Sequence, residues 1–268
     1  MEKDLECIVR SLKIDILRMF YQSKTGHLSS ALSCVELLAV LYLWERNEKD
    51  RIILSKGHGA AALYPILVKL GYIRHEELKT FYGYDSRLPA LASNKTPGID
   101  VPTGSLGQGF CFATGLAKAY QLDMEKASVF CILGDGEMQE GCVWEAAMFA
   151  GTQKLDHIAV FLDYNGIQAS EKVQTIMDVD PIREKWEAFG WAVEEIYGHN
   201  LTEIQTVVQS FRDGVYHCPL FVIAHTHKGN GISFIEDQAD CHMRNPKGDE
   251  WQRVCEEFHI SLEELNIS

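Results

Sequence analysis

The chain has 268 residues, 46% of them apolar, and a formal net charge of −13. That supports one sizeable α/β domain, and the acidic balance argues against nucleic-acid and anionic-membrane partners. No run approaches the ~18–20 apolar residues of a membrane span, and the charged start Met1–Arg10 does not read as a signal peptide.

Taken in chain order, residues 2–23 have helical periodicity, with Leu5, Ile8, Val9, Leu12, Ile16, Met19 and Phe20 on one face. After the turn KTGHLSS, a second helix is predicted from about 33 to 44, then a buried strand RIILS stopped by KGHG. A helix over about 60–70 ends at Gly71, and residues 72–100 read as mostly irregular. TGSLGQG leads into the small-residue helix FCFATGLAKAYQL, whose composition suits close packing on a sheet or another chain.

Next come the strand SVFCIL (128–133), a helix over about 143–153, and the strand HIAVFL (157–162). WAVEEIY (191–197) and LFVIAH (220–225) read as two more strands separated by the amphipathic helix LTEIQTVVQSFRDG, and a last helix spans about 249–258. Strands alternating with helices predict a doubly wound, mostly parallel sheet with helices on both faces. Ligands of such sheets sit beyond the carboxyl ends of the strands. The eight cysteines show no CxxC or zinc spacing and read as buried thiols in a reducing cytoplasm.

Two of those strand ends carry polar groups. Asp135 follows one strand and Asn165 the next, and a single right-handed crossover brings the two ends together. One anionic and one neutral oxygen side by side suit a hard cation such as Mg²⁺, which leaves its other positions to water or phosphate. Gly134 and Gly136 allow a tight turn and close backbone approach to a phosphate, and the helix beyond Gly141 points its N-terminus the same way. Gly-Asp-Gly alone is an ordinary turn. Here it stands as GDGEMQEG, followed thirty positions later by DYNG.

That pair resembles the thiamine-diphosphate signature, and the likeness extends over residues 23–246. KTGHLSSALSCVELL, DRIILSKGHGAAALY, DVPTGSLGQGFCFATGLAKA, LGDGEMQEGCVWEAAMFAG, AVFLDYNGIQ and AHTHKGNGISFIEDQADCHMRNP are similar to transketolase segments, in family order. The resemblance implies thiamine diphosphate held through Mg²⁺ or Ca²⁺, with Asp135, Asn165 and the Ile167 carbonyl as metal ligands. It places His58, Gly134, Gly136, Glu137, Asn165 and His242 at the cofactor, and Gly104 and Leu106 at its aminopyrimidine end. His27, facing the substrate channel, His242, and Glu140 near a subunit interface are implied as catalytic. His199, His225 and His227 are expected to be structural or supporting; Lys228 reads equally as a phosphate contact or a solvated lysine.

The family's pyrimidine-binding and C-terminal domains have no counterpart in residues 1–268, which read as one diphosphate-binding domain. The expected arrangement is a split transketolase, with those domains and the activating glutamate on a partner chain in an α2β2 assembly, transferring a two-carbon unit between sugar or keto-acid substrates. One departure stands out: PALASNKTPG puts Ala90 where split relatives carry a histidine beside the donor's hydroxyl end. It raises a non-classical donor, such as pyruvate or a modified sugar, as an alternative. A catalytically silent regulatory subunit is disfavoured by the presence of Asp135 and Asn165. A Rossmann oxidoreductase is disfavoured because no GxGxxG follows the first strand.

Overall fold

The computed structural model describes residues 2–44 and 46–267; Met1, Glu45 and Ser268 of the expected single domain lie outside the described residues. Helix α1 (Glu2–Ser23) follows its apolar stripe, burying Leu5, Val9, Leu12, Ile16, Met19 and Phe20. Helix α2 (Leu28–Leu43) is buried nearly all round, the mark of a core helix. It starts five residues before the predicted Ser33. Two of its buried serines have acceptors for their hydroxyls, Ser29 Oγ donating to the Cys241 carbonyl at 2.8 Å and Ser33 Oγ to Asp163 Oδ2 at 2.6 Å, while Ser30 Oγ is buried without a partner among the described residues.

The remaining elements are β1 (Arg51–Leu54), α3 (Leu63–Lys69), α4 (Gln108–Asp123), β2 (Val129–Gly134), α5 (Gly141–Thr152), β3 (Ile158–Tyr164), α6 (Val173–Ile176), α7 (Ile182–Ala188), β4 (Ala192–Tyr197), α8 (Leu201–Arg212), β5 (Leu220–His225) and α9 (Glu250–Phe258). The predicted helix over 60–70 is divided: a tight 3₁₀ turn, Gly57–Ala62, precedes α3. Helices α6 and α7 occupy a stretch without a predicted element; α7 is only seven residues long, too short for a clear period, and is anchored by the fully buried Trp186.

All strand pairs are parallel, in the order β1-β2-β3-β5-β4. Alternate residues feed two separate cores, as a pleated strand requires. Phe130 and Ile132 of β2 face the layer containing α1, α2, α3 and α8, while Val129, Cys131 and Leu133 face the layer of α4, α5 and α7. The doubly wound sheet is therefore present. Gly134 pairs with Asp163 in register, so the turns leaving β2 and β3 emerge side by side. No helix among the described residues is long and apolar enough to cross a membrane.

Candidate cofactor and metal site

The carboxyl ends of β1, β2, β3 and β5 meet at one edge of the sheet. Asp135, immediately after β2, is buried, and its carboxylate gathers three backbone N–H groups. Oδ1 accepts from Gly136 N at 2.7 Å; Oδ2 accepts from Asn165 N at 3.1 Å and Gly166 N at 2.5 Å. The GDG turn is thereby tied to the DYNG turn thirty residues away. Burial and the nearby Asp163 push the Asp135 carboxyl up to about 6, against the opposing pull of Lys228 and the backbone donors. A carboxylate destabilised in this way is relieved by a cation. Asn165 Oδ1 accepts from Ile167 N at 3.1 Å, turning the chain so that the Ile167 carbonyl faces inward.

Lys228, arriving from the loop after β5, donates to that carbonyl at 2.6 Å and lies 3.2 Å from His242 Nδ1. It is 2% exposed, which overturns the solvated alternative. Burial and the neighbouring Lys56 lower its ammonium to about 8. Two groups implied for the site, the Ile167 carbonyl and the His242 ring, thus meet at one buried donor that the motif alone left open.

His27, before α2, His58, in the turn after β1, and His242 form a triangle. Ring centroids are 5.6 Å apart for His27 and His58, 4.9 Å for His27 and His242, and 5.3 Å for His58 and His242. Burial and then Lys228 push His242 down to about 3; burial and then Lys56 hold His58 well below its ordinary value; burial and Lys228 lower His27. The cluster is therefore neutral at physiological pH, and each ring offers one donor and one acceptor. His27 Nδ1 is buried without a hydrogen-bond partner among the described residues.

Two further ion-paired groups, absent from the predicted site, support this edge. Lys56 and Asp163 are both fully buried and bonded to each other, and Ser33 and Thr226 also donate to Asp163. Burial works against both charges, but each holds the other ionised, raising the lysine and lowering the aspartate. The signal for Lys56 is its place in LSKGHG, and that for Asp163 is its place at the head of DYNG.

Other implied residues fall into place differently. Glu137 is buried with its carboxylate turned inward, where Oε1 accepts from Ser55 Oγ at 2.5 Å and Gly107 N at 2.7 Å, and Oε2 from Gly134 N at 3.0 Å. It acts as a brace between the three motif segments. Gly104 (φ +151°) lies under Leu91, whose Cδ1 would stand 2.8 Å from an added Cβ, with half-buried Leu106 close behind in the same turn. Glu140 is exposed at the start of α5. His199 lies 3.2 Å from buried Glu36, and His227 bonds Asp237, so both have structural partners. His227, Glu236 and Asp237 could together approach an ion, yet Asp237 Oδ1 already accepts from Lys228 N at 3.0 Å and serves to hold the lysine's loop.

The donor set fits a metal-bound diphosphate: a caged carboxylate, an amide oxygen, an inward carbonyl, a glycine at Gly136 and buried cationic and imidazole donors. Residues 1–264 match the family described as the transketolase, thiamine-diphosphate-binding domain. The chain belongs to that family. It is 41% identical over 245 residues to the 6-deoxy-6-sulfo-D-fructose transketolase subunit SqwG of Clostridium sp. (strain MSTE9), covering 87% of this chain and 88% of the relative. It is 40% identical over 243 residues to an apulose-4-phosphate transketolase subunit from Actinobacillus succinogenes, covering 87% of each. The solved transketolase of Campylobacter jejuni superposes with a TM-score of 0.89 at 28% identity, covering 98% of this chain but 44% of that one. The chain thus spans under half of such a full-length transketolase and nearly all of the curated subunits.

Proposed function

We propose that this chain is the diphosphate-holding subunit of a two-chain transketolase that moves a two-carbon ketol unit between carbonyl substrates. The observation that carries the reading is the convergence of Asp135, Asn165 and the Ile167 carbonyl beside Lys228 and the three neutral histidines. In this reading Asp135, Asn165 and Ile167 hold Mg²⁺ (or Ca²⁺), Gly136 lets the diphosphate approach, and His58 and His242 donate to it. The cofactor, when bound, supplies the carbanion chemistry. His27 and His242, neutral and able to give or accept a proton, orient the donor and acceptor hydroxyls.

The partner is a chain carrying the pyrimidine-binding half of the site. The word subunit in the names of both relatives supports it, as does an apolar face left open by α4 and α5, where Phe112 is 57%, Met148 46% and Phe149 45% exposed. Glu140 lies at the edge of that face. Eight free cysteines fit a reducing cytoplasm. Ala90, flanked by exposed Leu91 on Gly104, gives the donor wall an apolar character, and both relatives' names carry modified sugars. We therefore place the donor among modified ketoses.

Two measurements test this. Thiamine diphosphate with Mg²⁺ should raise the Tm of the wild type, and Asp135→Ala should abolish the shift; an undiminished shift in the variant would sink the metal assignment. The lone chain should show no ketol transfer until mixed with the partner, and the pair should then use a modified ketose with higher kcat/KM than xylulose 5-phosphate. Robust turnover by the lone chain would overturn the two-chain reading.

A further inference from the structure

Gln168 follows the inward-facing Ile167 and belongs to none of the residues implied above. Its backbone is held from two sides: its N–H donates to the Glu171 carbonyl at 3.0 Å, and its own carbonyl lies 3.4 Å from Lys228 Nζ. The side chain is folded against Gly136, with both Cβ and Oε1 only 2.8 Å from where a Gly136 Cβ would stand. Its Nε2 is buried and has no hydrogen-bond partner among the described residues.

An amide donor buried without an acceptor is costly, and native proteins rarely tolerate one without a reason. The acceptors of the two adjoining turns bond other donors. Asp135 Oδ1 and Oδ2 take three backbone N–H groups, and the Ile167 carbonyl takes Lys228. None of these oxygens bonds Gln168 Nε2, and a bound ligand would supply the missing acceptor. Lys228 Nζ, 3.4 Å from the Gln168 carbonyl, makes the surroundings suit a negatively charged one, while Lys56 is already paired with Asp163.

We infer that Gln168 is a diphosphate-binding residue of this site, its Nε2–H₂ donating to a diphosphate oxygen beside Gly136. The inference rests on the cofactor reading above and adds a contact to it. A neutral carboxamide suits the place: Lys228 already supplies charge, and a rigid amide packed on a glycine fixes orientation. A carboxylate of the same shape would turn the donor into an anion facing another anion.

The test measures Kd on the full chain in saturating Mg²⁺, by titration calorimetry, for thiamine diphosphate and separately for inorganic pyrophosphate. Gln168→Met keeps bulk and removes the donor; it should weaken both ligands by about tenfold to a hundredfold, the range for a hydrogen bond to a charged group. Gln168→Glu should weaken both further than Gln168→Met does. Matching losses for the two ligands locate the contact at the diphosphate; a loss for thiamine diphosphate alone would place it elsewhere and overturn the inference. So would Kd values within twofold of wild type in both variants while Asp135→Ala abolishes binding. Binding left intact by Asp135→Ala would instead remove the cofactor reading, and this inference with it. Should Gln168→Met fold poorly, Gln168→Asn shortens the reach by one methylene and carries the same expectation.

Discussion

Glu137 illustrates how one buried carboxylate can tie together the segments of a site. Its oxygens collect Ser55 from the turn after β1, Gly107 from the turn before α4, and Gly134 from the end of β2. Burial raises its carboxyl, while those donors pull the other way. Glu137→Gln keeps the shape but puts an NH₂ group against N–H or O–H donors that need acceptors. We expect a loss of roughly 2–3 kcal/mol, read as a Tm lowered by about 5 °C. Weaker thiamine diphosphate binding should accompany it, because three motif segments lose their common anchor. An unchanged Tm would show that the brace is dispensable. The GDGE motif puts Glu137 among the implied cofactor residues, but a sequence shows that an acid is present and not which way it faces.

At the scale of elements, helix α5 is pinned where its backbone meets the end of α7. Gly151 sits so close to the Phe189 carbonyl that an added Cβ would stand 1.8 Å from the oxygen. Alanine is the better helix former by about 1 kcal/mol, which alone would make Gly151→Ala stabilising. The clash is with backbone and has no flexible side chain to yield, so overpacking wins and the variant should lose roughly 3 kcal/mol or more. Urea unfolding of Gly151→Ala beside Gly115→Ala checks this. Gly115, on α4, has nothing within 4 Å of an added Cβ and should be neutral or slightly stabilised in the isolated chain. Equal midpoints for the two variants would refute the packing argument. The periodic elements α1 and α8 were legible because one face of each is apolar. The start of α2 and the whole of α7 were not, because buried serines mimic a turn and seven residues hold too little periodicity.

Across the whole molecule, Glu36 ties distant parts of the chain together. From α2, its carboxylate meets Lys13 of α1 at 2.6 Å and His199 of the turn between β4 and α8 at 3.2 Å. Burial pushes this carboxyl up, but His199 and Lys13 outweigh it and hold it below its ordinary value of 4.5. A lowered carboxyl contributes stability that is complete above the unfolded pKa and disappears as pH falls through the folded one. The wild type should therefore lose stability on acidification below about pH 4.5 more steeply than Glu36→Gln, whose amide does not titrate. Chemical unfolding across that range reads the difference; parallel curves would show that the triad carries no linkage.

The order of motifs along the chain, and the alternation of strands and helices, already determined the family, the parallel sheet and the pairing of Asp135 with Asn165. Those follow from local patterns: glycine and acid at strand ends, and hydrophobic periods of two or 3.6. What only the tertiary structure decided is which side chains share a volume. Lys228 left solvent for the Ile167 carbonyl, and Asp163 near the end of β3 became the partner of Lys56. Gln168 folded its amide onto Gly136, and His27, His58 and His242, far apart in the chain, formed one neutral cluster. The physical reason is that burial, charge pairing and hydrogen-bond satisfaction depend on distance through space, and separation along the chain carries almost no record of it.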